Sequence, residues 1–103
     1  MKNPFDTVIE GVGLNRPTAN FNQAIIDDAV KVTDEEALHM AHYLIENEGI
    51  FVGGSSAMNV AAAVKYSRKN KGENIVTIFH DAGIRYLKKF YSPAYLKDKN
   101  IKF

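Results

Sequence analysis

The sequence of 103 residues has no cysteine, which excludes disulfides and every kind of thiol chemistry. It also has no excess charge of one sign: 13 Lys and Arg stand against 12 Asp and Glu, a net charge of +1. That balance gives no ground for a nucleic acid or an anionic membrane as partner. No apolar run approaches the roughly 20 residues that span a bilayer. The opening Met1-Lys2-Asn3-Pro4-Phe5-Asp6 lacks the apolar core of a signal peptide, so an intracellular place, cytoplasmic or mitochondrial, is expected. Neither a Gly-Lys-Ser/Thr phosphate loop nor an HExxH zinc motif is present. What the chain does have is 46% hydrophobic residues, enough for the core of one small domain.

The most informative stretch is Glu48-Gly49-Ile50-Phe51-Val52-Gly53-Gly54-Ser55-Ser56-Ala57-Met58-Asn59-Val60-Ala61-Ala62-Ala63. Gly49 suits the left-handed close of a preceding helix. Ile50, Phe51 and Val52 read as a short buried strand or lining segment. Gly53 and Gly54 allow a sharp turn and a close approach. Ser55 or Ser56 is expected to cap an alanine-rich helix that runs to about Lys69. A helix start offers unpaired amides and the positive end of the dipole, which suit an electron-rich ligand atom. Taken alone, two glycines and two serines equally describe a capped tight turn.

The flanking elements follow from period and punctuation. Thr7-Val8-Ile9 favours β structure, and Leu14 to Asn22 reads as loop around Pro17. Between them Gly11 and Gly13 stand two apart, half of a dinucleotide fingerprint whose third glycine is missing. Asp28 to Val32 is expected to be a short strand. Thr33-Asp34-Glu35-Glu36 is a capping box. Behind it Ala37, Met40, Ala41, Leu44 and Ile45 make one buried stripe, with Glu35, His39, His42 and Glu46 on the opposite face. His39 and His42 are one turn apart, as metal ligands can be. A solvated, charged face without cysteine argues instead for a surface pair of His42 with Glu46, and no metal is expected.

Lys65, Arg68, Lys69 and Lys71 fall near the end of the alanine helix, where cations suit the dipole. Gly72 breaks that helix. Asn74 to Phe79 is the best strand, apolar on both faces as in a covered parallel sheet. His80-Asp81-Ala82-Gly83 then forms a loop at its carboxyl end, the usual ligand side of α/β proteins. Ile84 to Phe90 suits a short amphipathic helix. Tyr86, Leu87, Phe90, Tyr91, Tyr95 and Leu96 form a packed aromatic tail, with Pro93 as a break and residues 97–103 frayed. The class is α/β, a single unit over 1–103. Two long helices and two or three strands make a thin sheet with an exposed apolar edge, which is natural in part of a larger domain.

Four blocks, in order, resemble the carboxyl-terminal part of the cysteine synthases and cystathionine β-synthases. They are Glu10-Gly11-Val12-Gly13, Val32 to Ala37, Glu48 to Ser56, and Ile75 to Leu87. The runs Gly13 to Phe21 and Lys88 to Leu96 are similar to a fungal and bacterial cysteine synthase-like branch. These are fold-type II enzymes, related to the tryptophan synthase β subunit, that use pyridoxal 5′-phosphate (PLP). The resemblance implies an incomplete three-layer parallel sheet and a homodimeric full-length enzyme that makes cysteine from O-acetylserine and sulfide. It implies that Ser55 meets the pyridine nitrogen of PLP, with Gly53, Gly54, Asp81 and Gly83 beside the cofactor. Gly11 and Gly13 would lie beside the substrate. Two residues depart from the family: His80 stands where proline is commoner, and Ala57 where glycine is.

The family's lysine, which anchors the cofactor covalently, lies in an amino-terminal motif, serine-x-lysine-x-arginine or a near variant. Nothing in this chain matches that motif or the phosphate-binding loop, and Lys65 comes several turns too late. The chain alone is therefore expected to be inactive, with no catalytic residue of its own. Two further readings stay open. One is a non-catalytic α/β module or split subunit that pairs with a complementing chain or an intact paralogue. The other is a nucleotide-binding domain using Gly11 and Gly13.

Overall fold

Two long helices form where caps and spacing are supplied locally. The computed structural model describes residues 7–9, 12 and 18–100. Its elements are α1 (Ala19–Gln23), α2 (Asp34–Tyr43), a π-helical turn (Leu44–Glu48), α3 (Gly54–Lys69), a 3-10 turn (Gly83–Tyr86) and α4 (Pro93–Asp98). At the start of α2 the Thr33 hydroxyl accepts the Glu36 amide at 3.2 Å, and the Glu36 carboxylate accepts the Thr33 amide at 3.0 Å. The expected capping box is thus present. The helix loosens into the π turn and ends at Gly49, whose φ of +67° is left-handed. The Ile50 amide then reaches back to the Leu44 carbonyl at 3.0 Å.

α2 packs along α3. Alanines at the contact, Ala37, Ala41, Ala57 and Ala61, are buried and let the two axes come close. Leu38 and Leu44 are buried with them, while Met40 and Ile45 are only partly so. The aromatic tail closes the other side. Leu38, Tyr86, Phe90 and Leu96 form one apolar cluster, flanked by Val8, Tyr91 and Tyr95. Tyr91 links it to a second cluster of Ala41, Leu44, Val52 and Ala57. Its hydroxyl donates to the Val52 carbonyl at 2.6 Å, and burial pushes its pKa upward. Thr7 and Val8 are tied to Asp34, in the first turn of α2, through the Thr7 hydroxyl and the Val8 amide.

Several expected elements differ. No strand occurs among the described residues; an antiparallel bridge joins Val52 to Ala82. Residues 28–32 and 74–79 carry strand-like sequence but make no ladder, and neither do 7–9 or 50–52. A strand needs a neighbour for its amides and carbonyls; among the described residues 50–52 has one only at the Val52–Ala82 bridge, and the other runs have none. Of the expected loop from Leu14 to Asn22, residues 14–17 lie outside the described residues, and Ala19 onward is helical, with Thr18 capping α1 by accepting the Phe21 amide. Instead of one helix over 84–90, a 3-10 turn is followed by further turns. Pro93 begins α4 rather than interrupting the tail: it needs no amide partner at a first helical position, and Ser92 caps the helix.

Candidate functional site

The first turn of α3 is built around a position that only glycine can fill. A Cβ on Gly53 would lie 2.2 Å from Asp81 Oδ1 and 2.6 Å from the Tyr86 ring. Gly53 is accordingly the cap residue, with no side-chain cap bond. The expectation of a serine cap is corrected by this crowding: Ser55 and Ser56 stand one and two places inside the helix. Gly54 is nearly as tight, its missing Cβ facing Phe90 at 2.9 Å and Ile9 at 3.4 Å. On the opposing loop a Cβ at Gly83 would meet the Phe51 ring at 2.4 Å.

Residues 78–83 lie across this helix start, held by bonds from successive positions. The Gly53 amide donates to the Asp81 carbonyl at 3.2 Å, and the Gly83 amide to the Phe51 carbonyl at 3.1 Å. The Ser56 hydroxyl, fully buried, accepts the His80 amide at 2.8 Å. One turn on, Asn59 Nδ2 donates to the Ile78 carbonyl at 3.0 Å. The Ser55 hydroxyl lies 3.3 Å from His80 Nδ1. The sequence-based candidates Gly53, Gly54, Ser55, Asp81 and Gly83 are thus brought together. Gly11 and Gly13 lie outside the described residues.

Asp81 is the charged member of the group. Its Oδ2 accepts the Tyr86 hydroxyl at 2.7 Å and Arg85 Nη1 at 3.4 Å. Its Oδ1 is buried beside Gly53 with no hydrogen-bond partner. A carboxylate at the start of α3 is favoured by the positive end of that helix. Ser56, Asn59 and His80 were not among the sequence-based candidates. The i, i+3 and i, i+4 spacing of Asn59 after Ser56 and Ser55 was the available signal, since it puts polar groups along one helix edge.

The solvated position expected of His42 is also corrected. It is half-buried, with Nε2 2.8 Å from the Phe90 carbonyl and its ring 5.2 Å from that of Tyr91. A carbonyl only accepts, so Nε2 carries the proton. The tail folds over a face that helical periodicity alone marks as solvated. No group of three metal-ligating side chains occurs among the described residues. Lys65 is tied to Glu36 and to the Lys31 carbonyl, and it holds the Glu36 carboxyl down to a pKa of about 2. The expectation that no near variant of the lysine motif occurs is corrected in one respect: Ser67-Arg68-Lys69-Asn70-Lys71 has the serine-x-lysine spacing with a final lysine, yet it lies at the far end of α3. Along the axis, Lys65 and Lys69 are about 15 and 21 Å beyond Ser55.

An open cleft of about 580 Å³ lies between α2 and α4, lined by His39, His42, Glu46, Pro93 and Leu96 among others. A second, of about 520 Å³, separates residues 28–31 from the end of α3. Neither includes Ser55. No helix among the described residues is long and apolar enough to cross a membrane.

The family described as pyridoxal-phosphate dependent enzyme matches residues 1–81. A cysteine synthase of Dictyostelium discoideum is 49% identical over 92 residues, 88% of this chain and 24% of that protein. Cysteine synthase 2 of Schizosaccharomyces pombe is 48% identical over 99 residues, covering 93% of this chain and 25% of the relative. A cystathionine beta-synthase of Saccharomyces cerevisiae is 35% identical over 100 residues, 93% of this chain and 20% of its own length. The chain spans about a quarter of the length of such relatives.

Proposed function

This chain belongs to the pyridoxal-phosphate dependent enzyme family, and we propose that it is the carboxyl-terminal segment of a cysteine synthase-like member. In this reading it supplies the ring-nitrogen side of the cofactor site and is inactive by itself. The complete enzyme would replace the acetate of O-acetylserine with sulfide.

The observation that carries the reading is the Ser55 hydroxyl at the start of α3, lying against a heteroaromatic nitrogen of His80. An imidazole nitrogen and a pyridine nitrogen are the same class of acceptor, so the residues present fit the cofactor's ring. PLP supplies an electron sink that lets a leaving group depart from the β-carbon. When the cofactor is bound, the Ser55 hydroxyl would hold its ring nitrogen by a hydrogen bond and, being a weak acid, would not protonate it. The amino end of α3 would oppose added positive charge there, which would keep the sink moderate, as β-replacement requires. Gly53, Gly54, Asp81 and Gly83 hold the turn that presents Ser55, and Gly11 and Gly13, outside the described residues, would border the substrate.

The anchoring lysine and the phosphate loop would come from the three-quarters of the relatives that this chain does not cover. Residues 28–32, 50–52 and 74–79 would then become strands of the three-layer parallel sheet. The exposure of the first and last of these runs supports this: Val30, Ile75, Val76, Ile78 and Phe79 are uncovered, whereas Ile50 and Phe51 are partly buried and Val52 is buried. The same exposure supports a second reading, a split subunit that pairs with a separate chain carrying the lysine.

Mixing this chain with the amino-terminal portion of the D. discoideum relative tests the proposal. Cysteine formation from O-acetylserine and sulfide is expected in the mixture and absent from this chain alone. Ser55→Ala is expected to lower turnover roughly 10- to 100-fold, equivalent to about 1.4 to 2.7 kcal/mol of barrier. Turnover by this chain alone, or an Ser55→Ala mixture as active as the parent, would overturn it.

A further inference from the structure

The Ser55 hydroxyl has one proton to donate, and this molecule already places an imidazole nitrogen within hydrogen-bond reach of it. His80 is exposed, so its imidazole has room to turn elsewhere, yet Nδ1 rests 3.3 Å from Ser55 Oγ. The backbone delivers it there. The His80 amide is bound by the buried Ser56 hydroxyl, the Ile78 carbonyl by Asn59, and the Asp81 carbonyl by the Gly53 amide. Three anchors around residue 80 fix where its side chain starts. A neutral imidazole has one nitrogen that accepts and one that donates. With the ring hydrogen on Nε2, Nδ1 accepts the hydrogen bond of the Ser55 hydroxyl.

We propose that His80 is a built-in competitor for the cofactor: its Nδ1 occupies the hydrogen bond from Ser55 that the pyridine nitrogen of PLP would take, and so sets the affinity of this site for the ring. The inference rests on the proposed docking of the ring at Ser55. Loading exchanges one ring-nitrogen acceptor for another, with no bond formed or broken other than that hydrogen bond. The competitor is separable from the scaffold. Removing the imidazole leaves the amide bond to Ser56 intact, provided that residue 80 keeps an N–H. His80→Ala meets this condition, whereas His80→Pro removes both contacts.

The test titrates the full 103-residue chain with PLP and with its analogue bearing C–H in place of the ring nitrogen, followed by NMR. His80→Ala is expected to tighten PLP about two- to tenfold, the weight of one hydrogen bond. It should not change affinity for the analogue, nor affinity for PLP in an Ser55→Ala background. In the neutral ring of the parent chain without ligand, His80 Nδ1 is expected to be the nitrogen that carries no hydrogen, and its resonance to shift on Ser55→Ala. The second measurement needs no variant of His80, so a misfolded His80→Ala still leaves a result.

If Ser55→Ala weakens PLP while His80→Ala leaves it unchanged or weaker, the docking stands and the competitor falls. A protonated Nδ1 in the neutral ring has the same meaning. If Ser55→Ala binds PLP as well as the parent, or the parent binds neither probe at millimolar concentration, the docking falls and the competitor with it.

Discussion

The two sides of α3 differ in nearly every respect although one helix serves both. On one side α2 and the aromatic tail bury Leu38, Phe90 and Leu96. On the other, residues 71–80 are exposed without exception, and so are 21–31. Phe90 is 0% exposed, while Val76 and Ile25 are 95% exposed. The second side is held to α3 by side-chain bonds, from Lys65 to Lys31, from Tyr66 to Glu73 and from Asn59 to Ile78. Apolar residues are as plentiful there, so composition does not separate the sides. What separates them is a covering surface, which this stretch of chain provides for one side only.

The contrast can be broken in graded steps. Phe90→Ala is expected to cost about 3–5 kcal/mol in urea unfolding, since it empties a fully buried ring site. A loss below about 1 kcal/mol would mean that the packed side is not a core. Gly53→Ala is expected to cost about 1–3 kcal/mol, because its Cβ meets a carboxylate and a ring that must both move. Circular dichroism should then show an earlier melting transition with the helices still formed.

Acid should act more weakly. Glu36 has its pKa depressed to about 2, first by the bond from Lys65 and then by the Thr33 amide. Its contribution is therefore present above the ordinary carboxylate range near 4.5 and is lost as pH falls from there towards 2. The pair is partly exposed, so solvent screening limits the effect to at most about 1 kcal/mol. Glu36→Gln should flatten that portion of the stability-against-pH curve. Val76→Asp is expected to change the stability of this chain by less than about 0.5 kcal/mol. In the two-part mixture the same substitution should abolish assembly, which sharpens the distinction between an idle surface and an interface.

The legible parts of the sequence were those whose causes lie within a turn or two. Thr33 and Glu36 bond each other, Gly49 takes a left-handed φ, and α3 ends at Lys69. The turn that groups Gly53, Gly54 and Ser55 with Asp81 and Gly83 also follows from a resemblance spanning both stretches. What sequence could not supply was the answer to whether a strand-like run has a neighbour. Residues 74–79 have the right side chains, but their pairing partner is non-local. His42 fails for a related reason: the Phe90 carbonyl that binds it is 48 residues away. Ser56 and His80 are invisible to motif reading because their bond joins a hydroxyl to a backbone amide.

Hydrogen exchange at the amides of residues 74–79 tests the central claim most directly, in this chain alone and after mixing with the amino-terminal portion of the D. discoideum relative. The account predicts rapid exchange alone and strong protection in the mixture, as these amides gain strand partners. Protection already present in the isolated chain, or exchange unchanged by the mixture, would contradict it.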